Sequence, residues 1–197
     1  MRKEQKARSR ERILRTAAEC FRSQGYSATG ISELMQKSGL TNGAFYAHFS
    51  SKGHLLSEVA VEAARQMLED WVEGIEGLSP YQRVEVLLAR YISTEHRDNP
   101  HRGCTLPTLG AEIARQDSDA RQAVERQMQA SLTPLTEALR ELGIAEANAL
   151  AWSLLSMCVG AITLARTVDD ENLSSQIMDD TLCQAMRLVD VQVKADV

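Results

Sequence analysis

The chain has 197 residues, of which 44% are hydrophobic and 25% are charged. These are ordinary values for a globular protein of one or two domains, and they argue against intrinsic disorder. Only 5% of the residues are aromatic, and glycine and proline are few. The composition therefore favours helices over a β-sandwich.

The four cysteines are scattered along the chain, and no two form a CxxC pair. Neither a zinc-ligand spacing nor a tight disulfide framework is present, so we expect no metal, no cofactor and a reducing cytoplasm. No apolar run follows the basic first residues. We therefore expect no signal peptide.

Charge divides the chain into two parts. Residues 1–56 hold ten Lys and Arg against four acidic residues, a net of +6, whereas residues 57–197 have a net charge of −11. A basic end on an acidic body is typical of nucleic-acid binding. A solvated basic helix face would give the same count, and charge alone leaves both interpretations open.

The N-terminal part predicts three helices. Gly25 ends the first of them, which carries an apolar stripe at helical spacing. The stripe consists of Ile13, Ala17, Cys20 and Phe21. A short helix over Ile31–Lys37 follows, and after the turn Ser38-Gly39-Leu40 another runs from its cap at Thr41 to about His48.

Longer helices are predicted in the rest of the chain. Ser51 caps one that runs to about Gly74, and Ser79-Pro80 starts the next. Glu95–Pro107 is predicted to be a loop. The remaining predicted helices are a short one after Pro107, one capped at Asp117-Ser118-Asp119 with a kink at Pro134 and an end at Gly143, and two over Glu146–Arg166 and Ser174–Val191.

The segment Ala147–Ala165 is nineteen residues long and carries no charge. Its length is close to that of a membrane span. It nevertheless contains polar and small residues and has no basic flank on its N-terminal side. A buried core or subunit interface also demands an apolar helix, so we expect an interface helix and no membrane span.

The two short helices joined by a glycine-containing turn predict a helix-turn-helix. Gly39 can supply a positive φ, while Leu34, Leu40 and Phe45 can hold the second helix in place. Its small residues would let that helix enter a major groove. These residues are Asn42, Gly43, Ala44 and Ala47. An ordinary helical hairpin could use the same small residues for close packing, so the pattern alone leaves both open.

The residues from Gly25-Tyr26 to Ser51-Lys52 closely resemble the DNA-binding domain of the TetR family of transcriptional regulators. The resemblance rests on the string Gly39-Leu40-Thr41-Asn42-Gly43-Ala44-Phe45-Tyr46-Ala47-His48-Phe49 and on Ser51-Lys52. It covers residues of about 9–56. It implies an all-α fold, with a three-helix DNA-binding domain at 1–56 and a larger helical ligand-binding and dimerisation domain at 57–197.

The resemblance also implies the residues that bind a double-stranded DNA operator. The positions that commonly contact phosphates are Thr29, Tyr46, His48 and Lys52. The positions that read bases are Thr41, Asn42, Gly43 and Ala44. Two residues depart from the family pattern. Asn42 stands where Lys is frequent and could favour adenine, and Gly53 stands where Glu is usual, weakening the next helix by about 1 kcal/mol.

A homodimer is expected, because one helix-turn-helix reads only a few base pairs. The two C-terminal helices are the interface candidates, although their apolar stripes could instead be buried within one subunit. The proposed interface residues are Leu150, Leu154, Met157, Ala161 and Leu164 on the first helix, and Met178, Leu182, Ala185, Met186 and Val189 on the second.

The resemblance further implies a pocket for a small-molecule effector among the middle helices. Candidate lining residues, each of which could equally be core, are Met67, Trp71, Tyr91, Leu109, Met128 and Trp152. Cys104 follows a loop near His101 and Arg102 and could precede a helix, features that activate a thiol. It could therefore be a sensor or a small apolar residue. Cys20, Cys158 and Cys183 are expected in the core.

The sequence thus predicts a cytoplasmic, ligand-responsive regulator, most simply a repressor. A small molecule or thiol modification would release it by tilting the long helix over Ser51–Gly74. An enzyme and a scaffold protein are the alternatives from other classes. No nucleophile elbow, phosphate-binding loop or metal-ligand pattern supports an enzyme.

Overall fold

The structure, a computed structural model, describes residues 2–100 and 103–195, and every regular element in these ranges is an α-helix. The all-α prediction is therefore confirmed for this part of the chain. The helices are α1 (Arg2–Gln24), α2 (Ile31–Lys37), α3 (Asn42–Tyr46), α4 (Lys52–Val72), α5 (Pro80–Tyr91), α6 (Thr94–Asp98), α7 (Leu106–Ile113), α8 (Ser118–Glu141), α9 (Ala147–Thr167) and α10 (Glu171–Ala195).

The described residues form two compact units. The first comprises those of 1–65 and 100–127, and the second comprises those of 66–99 and 128–197. Helices α4 and α8 each contribute residues to both units. Within the first unit, α2 contacts α1 and α3, and α7 contacts α1.

The helix-turn-helix is built around two glycines with positive φ. Gly25, at φ +86°, ends α1, and its N–H donates to the Phe21 carbonyl at 3.1 Å. Gly39, at φ +61°, turns the chain between α2 and α3. The predicted stripe of α1 is buried, as are Leu34 and Phe45, whereas Leu40 is half-buried. The predicted turn and most of its apolar anchors are confirmed.

Helix α3 begins without a side-chain cap. Thr41 occupies the N-cap position with extended backbone (φ −85°, ψ 156°), but its hydroxyl makes no capping hydrogen bond. Its carbonyl accepts from the Ala44 N–H at 2.9 Å and closes the first turn instead. The prediction that the Thr41 side chain caps this helix is therefore wrong, although the position is correct.

Other predicted helix ends are confirmed by their hydrogen bonds. Ser51 Oγ accepts from the His54 N–H at 2.9 Å at the start of α4. Ser79 and Gln82 form a reciprocal capping box at the start of α5. Gly143, at φ +85°, follows the end of α8. These signals are local, so the sequence places the ends well.

The predicted loop over Glu95–Pro107 is wrong at both ends. Helix α6 begins before it, because Ser93 Oγ accepts from the His96 N–H at 3.1 Å. Helix α7 begins at Leu106, one residue before Pro107. The last predicted helix likewise starts earlier, at Glu171. Its cap is Asp170, whose Oδ1 accepts from the Asn172 N–H at 2.8 Å.

Helices α9 and α10 pack along each other. Half of the residues that the sequence assigned to a dimer interface are buried in the single chain, so their assignment is wrong. The residues buried within one chain are Leu154, Ala161, Met178, Ala185 and Val189. The large apolar side chains of these two helices that stay exposed are Leu164, which belongs to the predicted set, and Leu173, Leu188 and Val191, which do not.

The cysteines differ in exposure. Cys20, Cys104 and Cys158 are buried, but Cys183 is exposed on α10. The prediction that Cys183 belongs to the core is therefore wrong. By length and composition alone, α9 could cross a membrane, with a mean hydropathy of 1.6 and 39% of its most apolar stretch buried.

Replacing Gly39 by alanine should destabilise the protein by about 1–2 kcal/mol, because a Cβ is unfavourable at positive φ. Gly77→Ala is the control, since Gly77 lies outside the helices, has no positive φ and has open space around it. The free energies of unfolding in urea would be compared. Equal values for the two variants would contradict the expectation.

Candidate functional site

The outer face of α3 presents short polar groups and one aromatic side chain. Thr41, Asn42 and Gly43 are exposed, Ala44 is half-buried, and Tyr46 is 66% exposed. Asn42 Nδ2 also donates to Ser32 Oγ of α2 at 3.0 Å. All of the predicted base-reading positions therefore lie together at the start of one accessible helix.

His48 lies just after α3 and faces α1. Its Nε2 is 3.0 Å from Ser9 Oγ, while its buried Nδ1 has no hydrogen-bond partner among the described residues. Burial lowers the pKa of His48, and the nearby charges of Lys6 and Arg10 lower it further. The ring is therefore neutral at pH 7.

Lys52, the first residue of α4, is held by Tyr26. Its Nζ donates to the Tyr26 carbonyl and lies 4.2 Å from the centroid of the Tyr26 ring. Partial burial lowers the pKa of Lys52. The cation is thus fixed in place at the N-terminus of α4.

Thr29 is placed differently from the other predicted phosphate contacts. It is fully buried, and its hydroxyl donates to the Gly25 carbonyl at 2.9 Å. A direct phosphate contact by this hydroxyl is not compatible with that placement. Its contribution is to close the turn between α1 and α2.

A basic groove of about 680 Å³ runs along α1 beside Leu40 and Ala44. Its lining includes four cations and one acidic residue, Glu11. The cations are Lys6, Arg8, Arg12 and Arg15. Sequence reasoning did not select them, although Arg8, Arg12 and Arg15 follow the i, i+4, i+7 spacing of one helix face.

Two other cations of the first unit are balanced by carboxylates. Arg10 pairs with Glu58, which also lies 3.0 Å from His54 Nε2. Lys37 pairs with Glu33 at 2.7 Å. Positive charge near α3 is therefore concentrated in the groove along α1.

Two of the predicted effector contacts meet in the second unit. The rings of Trp71 and Tyr91 lie 4.8 Å apart, and the His96 ring is 4.7 Å from that of Tyr91. Sequence patterns did not indicate His96, since it lay in the expected loop. In the same unit Met67 is buried, and Met128 and Trp152 are half-buried.

His96 is held inside this aromatic cluster. Its Nδ1 lies 2.7 Å from the Tyr91 carbonyl. Burial lowers the pKa of His96 and the Arg166 charge lowers it further, against the opposing effect of the Tyr91 carbonyl. The neutral ring is therefore the form that the folded protein prefers.

The other two effector candidates, Leu109 and Cys104, are buried in the first unit. Cys104 is 5% exposed and lies two residues before α7, so the expected helix does follow it. Its neighbours His101 and Arg102 lie outside the described residues. Among the residues that are described, no group of three or more His, Cys, Asp or Glu could hold a metal ion.

Two family models match separate parts of the chain. Residues 13–59 match the model described as bacterial regulatory proteins, tetR family. Residues 80–178 match the model for the C-terminal domain of LmrA/YxaF-like transcriptional regulators. The second match alone covers half of the chain.

Individual relatives agree with the family models. The HTH-type transcriptional regulator LmrA of Bacillus subtilis is 29% identical over 185 residues, covering 87% of this chain and 95% of LmrA. The HTH-type transcriptional repressor NemR of Escherichia coli is 28% identical over 137 residues, covering 66% of this chain and 67% of NemR.

Two solved structures share the fold. Bacillus subtilis FadR in complex with stearoyl-CoA has a TM-score of 0.72 at 17% identity, covering 89% of this chain and 97% of FadR. The reduced form of Escherichia coli NemR has a TM-score of 0.73 at 23% identity, covering 90% of this chain and 94% of the NemR chain.

The burial of His96 predicts a pH-dependent stability. Because its pKa is lowered in the folded state, its stabilising contribution is complete above the unfolded pKa of about 6.5 and is lost as the pH falls below it. The free energy of unfolding, measured in urea, should therefore decrease between about pH 7.5 and pH 5. In His96→Gln this decrease should be smaller. The unmodified protein is the comparison, and an equal loss in His96→Gln would contradict the expectation.

Proposed function

Since the chain belongs to the TetR family of bacterial transcriptional regulators, we propose that it is a homodimeric, cytoplasmic repressor that a small molecule releases from its DNA operator. One observation carries the DNA-binding part of this proposal. An exposed five-residue helix, α3, lies beside a groove lined by four cations.

Helix α3 is suited to the major groove because its exposed start carries no bulky side chain. Gly43 and Ala44 allow close approach to base edges. The Asn42 amide can form a bidentate pair with adenine, and the Thr41 hydroxyl can bond to a base or a phosphate. Asn42 is thus the proposed main source of sequence discrimination.

Phosphates of the operator would lie along α1 and at the start of α4. The groove cations Lys6, Arg8, Arg12 and Arg15 supply the charge for one strand. Lys52 and the exposed Tyr46 supply a cation and a hydroxyl on either side of the α3–α4 connection. His48, neutral at pH 7, supports α1 through Ser9 and adds no charge of its own.

The exposed side of α9 supports the proposed homodimer. Small residues recur there at alternating spacings of four and three, which is the repeat of a packed helix pair. They are Ala149, Ser153, Ser156, Gly160, Thr163 and Thr167. The Ser and Thr hydroxyls donate to carbonyls of the preceding turn, so covering this side leaves none of these donors unsatisfied.

Exposed apolar side chains complete this proposed interface. Leu164 on α9 is 57% exposed, and Val191 on α10 is 59% exposed. A second copy of the chain would remove these side chains from water. Burial of apolar surface contributes a favourable free energy of about 25 cal/mol per Å². The pair α9–α10 of each subunit would then form a four-helix interface.

Release by a small molecule is supported by two of the similar proteins. FadR was solved in complex with stearoyl-CoA, and NemR is named a repressor. In this chain the Trp71, Tyr91 and His96 rings offer aromatic surface for an effector in the second unit. Release by modification of Cys104 stays a prediction, and it requires an opening motion because that thiol is buried.

The direct test of the DNA-binding proposal is selection from a pool of random duplexes. The full-length protein should retain a two-fold symmetric sequence, with half-sites separated by about one helical turn or a multiple of it. Retention of a single half-site by a monomer would overturn the dimeric mode of binding. Retention of no particular sequence would overturn the proposal as a whole.

Removing single cations should weaken binding to the selected duplex about three- to tenfold and lower the salt dependence by about one counterion. We expect this of Lys52→Ala and Arg12→Ala, measured by fluorescence anisotropy at several salt concentrations. Arg140→Ala, at an exposed position of α8, is the charge-matched control. If the Arg12 variant had the same affinity and salt dependence as this control, a phosphate contact in the α1 groove would be excluded.

Charged side chains on the outer side of α9 and α10 should separate the subunits. Leu164→Glu together with Val191→Glu should give a monomer by light scattering and weaken binding to the symmetric duplex by at least about tenfold. Ala130→Glu, at an exposed position of α8, is the control and should remain dimeric. A dimer that survives the double substitution would place the interface elsewhere.

A further inference from the structure

The departure from the family pattern at Gly53 has a structural counterpart in the loop between α7 and α8. Gly53 is buried in the first turn of α4, and a Cβ at this position would overlap Gln116 Oε1 and lie 3.5 Å from Gln116 Cδ. The Gln116 carboxamide therefore occupies the space that any other side chain at position 53 would need. Glycine is less favourable than alanine inside a helix, so the space for the Gln116 carboxamide comes at a cost in the helix propensity of α4.

The Gln116 carboxamide forms hydrogen bonds through both its nitrogen and its oxygen. Its Nε2 donates to the Glu112 carbonyl at 2.9 Å, which holds the side chain against the preceding helix α7. Its Oε1 accepts a long hydrogen bond, 3.4 Å, from the Tyr26 hydroxyl. Tyr26 lies in the turn after α1, so one side chain joins three segments that are distant in sequence.

Tyr26 in turn holds the phosphate-contact candidate Lys52. Its carbonyl accepts from Lys52 Nζ, and its ring faces the same ammonium at 4.2 Å. The Tyr26 ring also packs edge-on against buried Phe21, with 5.3 Å between centroids. A shift of the Tyr26 ring therefore moves the ammonium that it binds.

From this chain of contacts we propose that Gln116 is a positioning residue for DNA binding, which acts through Tyr26 on Lys52 and requires glycine at position 53. The inference rests on the proposed function, because it assumes that Lys52 contacts an operator phosphate. It assigns a role in operator affinity to a residue that lies far in sequence from the helix-turn-helix. Helix α8, which begins two residues after Gln116, contributes residues to both units.

The test uses the full-length protein and the duplex that it selects from the random pool. In the proposal Gln116 itself makes no contact with the DNA. Gln116→Ala should weaken binding about three- to tenfold, which is the range expected for the loss of one hydrogen bond. Gly53→Ala should do the same by displacing the carboxamide, and its unfolding temperature should not fall, because alanine favours the helix. Tyr26→Phe, which removes only the hydroxyl, should also weaken binding.

Controls separate this effect from general destabilisation. Gln122→Ala removes an amide that donates to Ser118 of its own helix at 3.1 Å, and Gly110→Ala adds a Cβ with no described neighbour within 4 Å. Both should bind like the unmodified protein. If one test variant fails to fold, the other two still report on the same contact.

A double-substitution cycle with Lys52→Ala decides whether Gln116 acts through that cation. In the Lys52→Ala background, Gln116→Ala should change the affinity by less than about twofold. An undiminished effect in that background, or wild-type affinity for both Gln116→Ala and Gly53→Ala, would overturn the inference. If Lys52→Ala weakens binding but these variants do not, only the role of Gln116 is lost. If the unmodified protein selects no duplex, the proposed function fails with it.

Discussion

The burial of Phe45 and Phe49 holds the exposed helix α3 in place. Helix α3 has five residues, far fewer than the roughly 12–15 at which an isolated helix is even marginally stable in water. Both rings are at most 1% exposed, with 5.7 Å between their centroids, and the Gly39 turn ties them to buried Leu34 on α2. The accessible side chains on the other face of α3 are placed only as well as these anchors are packed.

Electrostatics restricts which surface can meet an anion. Residues 57–197 carry a net charge of −11, so most of the chain repels phosphates. Near α3, Glu58 neutralises Arg10 and Glu33 neutralises Lys37, which leaves the α1 groove as the concentrated positive field. Burial, and after it the charges of Lys6 and Arg10, lower the pKa of His48 and so favour its neutral form. In the proposed mode of binding, the charge on α1 orients the DNA and the uncharged start of α3 reads the bases.

Local signals explain why so much of the helix order could be predicted. Gly25, Ser51 and Ser79 end or begin helices through bonds to residues at most four positions away, and such chemistry is visible in sequence. Helix α6 was missed because its far end depends on Arg166, whose guanidinium donates to the His96 and Arg97 carbonyls from 69 or more residues away. Thr29 was misplaced for a related reason, since a family position indicates a residue type but not which way its hydroxyl points.

Helical periodicity also shows that a stripe is covered without showing what covers it. On α9 and α10, Leu154 and Val189 are buried within the chain, while Leu164 and Val191 on the same two helices stay exposed. Gly53 poses the same problem for a single residue. In sequence it is only a missing Glu and a weak helix start, and its partner Gln116 is 63 positions away. Once the carboxamide is seen in that space, the glycine becomes a requirement of the contact: any larger residue would displace Gln116 from Tyr26 and loosen the support of Lys52.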